Sequence, residues 1–193
     1  MITKNDILST TTPSQSYFLE KKRPENKAMA ASAVSELIRI RKKTIRESFQ
    51  CIQNDEYRLD RVVKIQGVSY VNDSGAVTLN ATYYSLETMK TPVVWITGGD
   101  DAAVQYDQLL PLVNEKVVAI IGIGVLNKKL ISHFDNCVDF ILEAQTMQDA
   151  VQKAQHLAEK GDTVLLSPAC LGLDRYENFK DRGKQFIAAV RSL

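Results

Sequence analysis

The chain has 193 residues, 45% hydrophobic and 24% charged, which is typical of a globular protein with one sizeable core. Its 24 basic and 23 acidic residues leave a formal net charge of +1, and this balance excludes a general electrostatic attraction to nucleic acid or to a membrane surface. No apolar run approaches the roughly 20 residues that a membrane span requires, and the first residues contain no signal-peptide stretch.

The cysteines indicate the cellular compartment. Cys51, Cys137 and Cys170 are odd in number and widely spaced, without a CxxC pair or a histidine at metal-ligand spacing. This pattern argues against a disulfide framework and against a zinc site. The sequence therefore predicts a cytoplasmic protein with no metal site of its own.

The N-terminal quarter is predicted to be a basic, helical lead-in. Residues 1–25 are polar and predict an extended arm or a single edge strand. Residues 26–39 are rich in alanine and carry apolar side chains at helical spacing, which predicts a helix. A second helix is expected at about residues 44–51, after a short basic turn. The basic side chains are interpreted as a solvated helix surface, in preference to a phosphate-binding face. No aromatic residues are interleaved with them, so stacking on a nucleic acid is not predicted.

The rest of the chain predicts an α/β fold. Residues 61–71 form two β-rich runs joined by Gln66-Gly67, where glycine permits the positive φ of a hairpin turn. Thr146 and Asp174 are expected to be helix N-caps. Apolar runs alternate with helical stretches, which predicts a Rossmann-like, mostly parallel sheet with helices on both faces. Strands are expected at 93–97, 117–121, 140–142 and 164–166, and helices at about 80–89, 127–133, 147–159 and 176–191.

Ligands of open α/β sheets bind outside the carboxyl ends of the strands, so the segments that follow the predicted strands are the candidates. Asn72, Asp73 and Ser74 lie between the hairpin and a helix, where free backbone N–H groups suit an anion or a ribose hydroxyl. On residue types alone, Asp73 or Ser74 is preferred as a cap of that helix. Gly98-Gly99 permits close approach of a ligand and equally a structural turn.

Two further segments carry weaker signals. Residues 122–124 (GIG) lack the third glycine and the later acidic residue of a dinucleotide fingerprint, so a Rossmann cofactor is rejected. Cys170 is interpreted as a buried thiol and not as a nucleophile, because the sequence places neither His133 nor His156 to activate it. No catalytic residue is assigned.

Three stretches together resemble one protein family. NDS at 72–74, GGDD at 98–101 and LLSPACLGLDRYENFKDRG at 165–183 are similar, in order and spacing, to the C-terminal glutamate-ligase domain of the Mur ligases. The resemblance is to the muramoylalanine–D-glutamate ligase type. The last stretch is long and therefore specific.

The resemblance also implies a domain organisation. It extends upstream through residues 57–59 (YRL) and reaches residues 29–31 (MAA). Residues 56–193 are therefore expected to form a Mur ligase C-terminal domain, and residues 1–55 an arm and helices that remain from the end of the central domain. In the family, an N-terminal domain holds the UDP-muramoyl substrate and a central P-loop domain binds ATP.

The resemblance further implies which residues form the site. The family uses ATP and magnesium, and several of its contact positions persist in this chain. The persisting positions are Arg58, Asn72, Asp73 and Ser74 for the nucleotide, Phe179 and Ser167 for the substrate, and Gly98 and Gly99 for a loop.

Other positions depart from the family pattern. Gly75 and Val77 stand where the family has lysine and threonine, and Ala102 and Gly172 stand where it has a lysine and a serine that contact glutamate. The chain contains no GxxxxGK[ST] sequence and so no cradle for ATP phosphates. A dicarboxylate needs charge-assisted donors, worth roughly 1.5–3 kcal/mol each, so D-glutamate affinity is expected to be lost.

These departures predict a binding or regulatory module of peptidoglycan synthesis that needs no cofactor by itself and does not ligate alone. Its expected partner is a Mur-type P-loop ligase or another cell-wall enzyme. The alternative is an amino-acid-binding component of a split ATP-dependent ligase, completed by a separate P-loop chain. A folded product of a truncated gene, without a partner, is the third interpretation.

Overall fold

The computed structural model describes residues 39, 41–44, 56–98, 106–124, 128–171 and 175–193. The chain divides into a unit of Met1–Arg41 and a unit of Lys42–Leu193, and the architecture below belongs to the second. Residues 41–44 are helical, so the expected basic turn between two helices is wrong there, because Arg and Lys are good helix formers and no Gly or Pro interrupts them. The remainder of both predicted helices lies outside the described residues, and the domain boundary after residue 55 stays a prediction.

A six-stranded mixed sheet forms the centre of the second unit. Its strand order is β1-β2-β6-β3-β4-β5; β1 pairs antiparallel with β2, and every other pairing is parallel. The predicted hairpin is confirmed, with φ of 50° at Gln66 and 92° at Gly67 in its turn. The strands are β1 Asp60–Ile65, β2 Val68–Asn72, β3 Val93–Thr97, β4 Val117–Ile123, β5 Phe140–Ala144 and β6 Thr163–Leu166.

In the part of the chain that the structure describes, five α-helices connect and follow the strands. Four of them confirm the predicted helices to within a few residues at each end. The helix α2 was not predicted, because its sequence LPLVNEK is short, carries proline in its first turn and runs directly into β4. The helices are α1 Leu79–Thr88, α2 Leu110–Lys116, α3 Lys128–Phe134, α4 Met147–Leu157 and α5 Phe179–Arg191, with a 3₁₀ turn at Tyr106–Gln108.

The helices cover both faces of the sheet, which confirms the predicted fold class. Alternate side chains of the buried strands point to opposite faces, so Ile96 of β3 joins a core with α4 and α5. Its neighbour Trp95 joins a second core with α1, α2 and α3. No helix among the described residues is long and apolar enough to cross a membrane.

The helix caps correct two predictions and confirm one. Thr78 caps α1 by accepting a hydrogen bond from Ala81 N, so the expectation that Asp73 or Ser74 caps this helix is wrong. Thr146 caps α4 as predicted. Asn178, four residues beyond the expected Asp174, caps α5 by accepting from the N–H groups of residues 180 and 181, because the helix begins only at residue 179.

Candidate functional site

The candidate site lies at the carboxyl ends of β2 and β6, which are neighbours in the sheet. Backbone hydrogen bonds tie its segments together: Asp73 N donates to Leu166 O at 2.9 Å, and Ala169 N donates to Ala76 O at 3.0 Å. The segment that precedes β1 joins them, because Gly75 N donates to Tyr57 O at 2.9 Å. Segments distant in sequence therefore meet at one edge of the sheet.

A buried ion pair forms the centre of the site. Arg58 Nη1 lies 2.9 Å from Asp73 Oδ1, and the two side chains are 6% and 0% exposed. Asp73 Oδ1 also accepts from Leu59 N at 3.2 Å, and Oδ2 accepts from Ser167 Oγ at 2.8 Å. Ser167 Oγ lies 3.0 Å from Thr82 Oγ1. Both carboxylate oxygens of Asp73 are thus bonded inside the protein.

The electrostatic environment of Asp73 combines two opposing effects. Burial raises the pKa of Asp73 from 3.8 to about 6, although the guanidinium of Arg58 and several hydrogen bonds to the carboxylate lower it. Desolvation disfavours a charged carboxylate, and nearby cations and donors favour it. Here the desolvation effect is the larger, so the pKa of Asp73 lies above its ordinary value, at about 6.

Arg182 connects the start of α5 to the two loops and is 1% exposed. Its Nη2 donates to the carbonyl oxygens of Ser74 at 2.9 Å and Cys170 at 3.1 Å. Its Nη1 donates to Leu171 O at 3.0 Å, and its Nε donates to Ser74 Oγ at 3.1 Å. Ser74 Oγ in turn donates to Phe179 O at 2.6 Å. One guanidinium therefore holds the loops after β2 and β6 against α5.

Asn72 and Gly183 set how closely α5 approaches the site. Asn72 Oδ1 accepts from Ser74 N at 3.1 Å, and Nδ2 donates to Gly183 O at 3.4 Å. A Cβ atom on Gly183 would lie 2.3 Å from Tyr57 Cδ1, so only glycine permits this contact. The Tyr57 ring also meets the Phe179 ring edge-on, with centroids 6.4 Å apart.

Backbone strain is concentrated at this site. Non-glycine residues with positive φ include Tyr57 at 67° and Leu59 at 50°, on either side of Arg58, and Ala169 at 62° in the loop after β6. Such conformations cost of order 1–3 kcal/mol each and are typical of functional sites. The strain supports the interpretation of this cluster as a site and not only as core.

The structure brings together six of the predicted site residues. Gly98 ends β3 beside the cluster, where its carbonyl oxygen lies 3.2 Å from Cys170 Sγ, whereas Gly99 lies outside the described residues. Cys170 is buried. The six clustered residues are Arg58, Asn72, Asp73, Ser74, Ser167 and Phe179.

Two of the four positions that depart from the family pattern are described. A Cβ atom on Gly75 would lie 2.8 Å from Arg58 Cδ, so the side chain of Arg58 occupies the space beside this glycine. Val77 lies in the loop before α1. Ala102 and Gly172 lie outside the described residues.

In this arrangement the site does not fit a nucleotide or a magnesium ion. Arg58, Asn72, Asp73 and Ser74 are all buried, and the carboxylate of Asp73 is bonded within the protein on both oxygens. No three His, Cys, Asp or Glu side chains gather at a possible metal position in the part of the chain that the structure describes. The nucleotide and substrate roles of these residues remain predictions.

Sequence reasoning missed the role of Arg182. The residue stands on the apolar face of α5, between Phe179 and Phe186 at helical spacing. A charged residue inside an apolar stripe is a signal for a buried, fully bonded side chain. Its partners are carbonyl oxygens, which no sequence pattern identifies.

Comparison with known proteins shows to which family the chain is similar. The family model described as "Mur ligase, glutamate ligase domain" matches residues 57–170, more than half of the chain. The chain is 54% identical, over 95% of its length, to UDP-N-acetylmuramoylalanine–D-glutamate ligase from Christiangramia forsetii, and spans 41% of that protein. It is 42% identical, over 86% of its length, to the ligase of the same name from Porphyromonas gingivalis, and spans 37% of it.

Among solved structures, the MurF ligase from Thermotoga maritima in complex with ADP is 12% identical, with a TM-score of 0.46 over 70% of this chain and 31% of that one. The likeness is too weak to bear on function. The sequence relatives and the family model agree, and the region that the family model matches includes Arg58, Asp73 and Ser167 of the candidate site but ends before Phe179 and Arg182. The chain therefore belongs to the Mur ligase family, within the group that has the glutamate ligase domain.

Proposed function

We propose that this chain acts in peptidoglycan synthesis as a binding or regulatory module and that these 193 residues alone do not ligate an amino acid. The observation that carries the proposal is the closed cluster around Asp73. Its carboxylate is fully buried and bonded to Arg58 and Ser167, so this group extends no free oxygen toward a ligand. When the polar groups of a site are hydrogen-bonded to one another, the residues are better explained by a role in the structure than by a role in catalysis.

The departures from the family pattern support the same proposal. Gly75, Val77, Ala102 and Gly172 stand where the family resemblance implies two lysines and two hydroxyl side chains, and each charge-assisted hydrogen bond to a dicarboxylate contributes roughly 1.5–3 kcal/mol. The sequence also contains no P-loop. The partner that we propose is a Mur-type P-loop ligase or another cell-wall enzyme.

A ligation assay tests the catalytic part of this proposal. The purified chain is incubated with ATP, magnesium, UDP-N-acetylmuramoylalanine and radiolabelled D-glutamate, and the expected result is no labelled product. The intact Christiangramia forsetii ligase is the positive control. Product formed by the 193-residue chain alone would overturn the proposal.

The proposed regulatory role is tested by a separate measurement of the rate of an intact ligase. The chain is titrated into the intact ligase, and we expect the rate of phosphate release to change in a saturable way. An equal concentration of the chain unfolded by heat is the control. An unchanged rate, together with no co-purification of the two proteins, would contradict a regulatory role toward this ligase.

A split ligase is the second candidate, because Ser167 and Phe179, the two positions that the family resemblance assigns to the substrate, are bonded to the adjacent residues Asp73 and Ser74 of one polar cluster. To test this candidate, the other domains are supplied by a truncated Christiangramia forsetii ligase that ends before the region matched by this chain. ATP-dependent phosphate release with the unchanged chain and some amino acid would favour this candidate. Release only with the fourfold variant Gly75→Lys, Val77→Thr, Ala102→Lys and Gly172→Ser would instead attribute the inactivity to those four positions.

A further inference from the structure

A second concave region lies under the C-terminal end of α1 and beside the β1–β2 hairpin. The cavity measures about 470 Å³, which is within the usual range of small-molecule sites. Ser69 and Thr163, at the amino ends of β2 and β6, line it together with Thr91. From there its wall runs along the hairpin to Arg61 and Val71, near the carboxyl end of β2. We name this region the hairpin groove.

The charges of the hairpin groove are of one sign. Arg61 and Lys90 line it, and none of its lining residues is acidic. Neither cation forms a salt bridge or a side-chain hydrogen bond within the part of the chain that the structure describes. Two unpaired cations in one concavity attract an anion and repel other cations.

The fold positions Arg61 toward this groove. Arg61 pairs with Val71 across the hairpin, and a β-bulge follows it, between Arg61 and Val63. The extra residue, Val62, packs against the core on the other face of the sheet. A bulge of this kind redirects side chains, and here it leaves the guanidinium on the groove side, which Val71 also lines.

Hydroxyl groups supply further donors. Thr91 Oγ1 and Thr163 Oγ1 lie 2.8 Å apart and share one hydrogen bond, so one of the two hydroxyl protons remains available. Ser69 has no side-chain partner among the described residues. Arginine, lysine and hydroxyl donors together are the set that binds phosphate groups.

The C-terminal end of α1 would by itself oppose an anion, because its free carbonyl groups carry partial negative charge. Lys116 offsets this charge, since its Nζ donates to the carbonyl oxygens of Leu86, Glu87 and Met89 at 3.2, 2.7 and 2.8 Å. The wall of the groove is therefore electrostatically compatible with phosphate.

We propose that the hairpin groove binds a phosphate-bearing small molecule through Arg61, Lys90 and the hydroxyls of Ser69 and Thr91. None of the proposed phosphate-binding side chains belongs to the Asp73 cluster, although Leu59, whose N–H donates to Asp73, lines the groove; the inference does not depend on the proposed function. Its apolar floor, formed by Leu59 and Val71, accommodates a non-polar part of the ligand. Because Arg61 and Lys90 are exposed, the affinity falls as ionic strength rises.

Amide chemical shifts test the location of this site, with inorganic pyrophosphate as the probe. The ¹⁵N-labelled chain is titrated with pyrophosphate at low salt, and saturable shifts are expected at residues 69, 91 and 163. Residues 74 and 179 of the candidate site should not shift. Shifts confined to the candidate site, or no saturable shifts, would overturn the proposal.

Calorimetric titration of charge variants tests the groups that bind. The Arg61→Gln/Lys90→Gln variant is expected to weaken pyrophosphate binding by roughly tenfold or more, and circular dichroism verifies that it folds. Lys184→Gln, which removes an exposed cation of α5, is the matched control and should bind as the unchanged chain does. An equal loss in the control would mean non-specific charge attraction, and equal binding of citrate would mean a general anion groove; either result would overturn a phosphate site.

Discussion

Arg58 and Asp73 illustrate how a polar pair behaves when both members are withdrawn from water. Attraction between the charges offsets their desolvation only when further hydrogen bonds complete the shell, as Leu59 N and Ser167 Oγ do here. Such a pair adds little stability as a unit, whereas loss of one partner leaves a buried, uncompensated charge. The pKa of about 6 for Asp73 follows from the same balance.

Replacement of Arg58 by methionine is expected to destabilise the protein in a pH-dependent manner. The folded-state pKa of Asp73, already raised to about 6, will rise further in this variant. A group with a raised pKa contributes its full stabilisation of the fold at pH values below its ordinary pKa, and this stabilisation is lost as pH increases through the folded-state pKa. We expect Arg58→Met to cost about 3–5 kcal/mol at pH 8 and much less at pH 5. Urea unfolding at both pH values measures the difference.

The double variant Arg58→Met/Asp73→Asn is the control, because it removes both charges. It should recover most of the lost free energy of unfolding at pH 8. A cost of Arg58→Met that is equal at pH 5 and pH 8 would show that packing of the arginine stem, and not the charge of Asp73, governs stability here.

The end of helix α1 depends on a residue from another helix. α1 has no basic residue in its last turn, and Lys116, at the end of α2, donates to three of its terminal carbonyl oxygens. The two helices are thus joined by one ammonium group. Because its acceptors are main-chain atoms, the contact is independent of the side chains of α1.

Substitution of Lys116 by methionine is expected to lower the free energy of unfolding by about 1.5–3 kcal/mol, since it removes charge-assisted hydrogen bonds and leaves carbonyl groups of the helix end without this donor. Thermal or urea unfolding measures the change. Lys184→Met on the exposed face of α5 is the control and should change stability by less than about 0.5 kcal/mol. Equal effects of the two substitutions would contradict a role of Lys116 as a helix cap.

At the scale of elements, patterns of apolar residues predicted the helices and strands whose burial leaves a local signal in the sequence. The buried apolar runs of β3 and β6 and the stripe of α4 identified these elements, because burial on both faces or one face leaves a clear pattern. The start of α5 was misplaced, since Asp174 and Asn178 are both suitable N-cap residues and the sequence alone does not decide between them. Lys116 and Arg182 were not recognised, because their partners are carbonyl groups of other segments.

At the scale of the whole molecule, the site exists only through the strand order. β6 inserts between β2 and β3, and this places Ser167 next to Asp73, 94 residues away in the chain. A parallel sheet could be predicted from the alternation of strands and helices, but its order depends on long-range packing that periodicity does not encode. The family resemblance, and not the periodicity, grouped the site residues in advance.

The predicted domain boundary can be tested with shortened chains. All the described residues of both cores lie between residues 59 and 190, so we expect a chain of residues 56–193 to unfold cooperatively, with a free energy of unfolding within about 1 kcal/mol of that of the full chain. A chain of residues 42–193 is the matched comparison. Loss of cooperative unfolding in the shorter chain but not in the longer one would move the boundary from residue 55 to residue 41.

The contact between Arg58 and Gly75 also bears on the evolutionary history of the chain. A Cβ atom at position 75 would approach Arg58 Cδ to 2.8 Å, so any side chain at this position requires the arginine stem to shift. The same stem carries the guanidinium whose Nη1 lies 2.9 Å from Asp73 Oδ1. A lineage that regains lysine at position 75 therefore has to reposition Arg58 beside a buried carboxylate, and the residue at position 75 becomes coupled to the charge of Asp73.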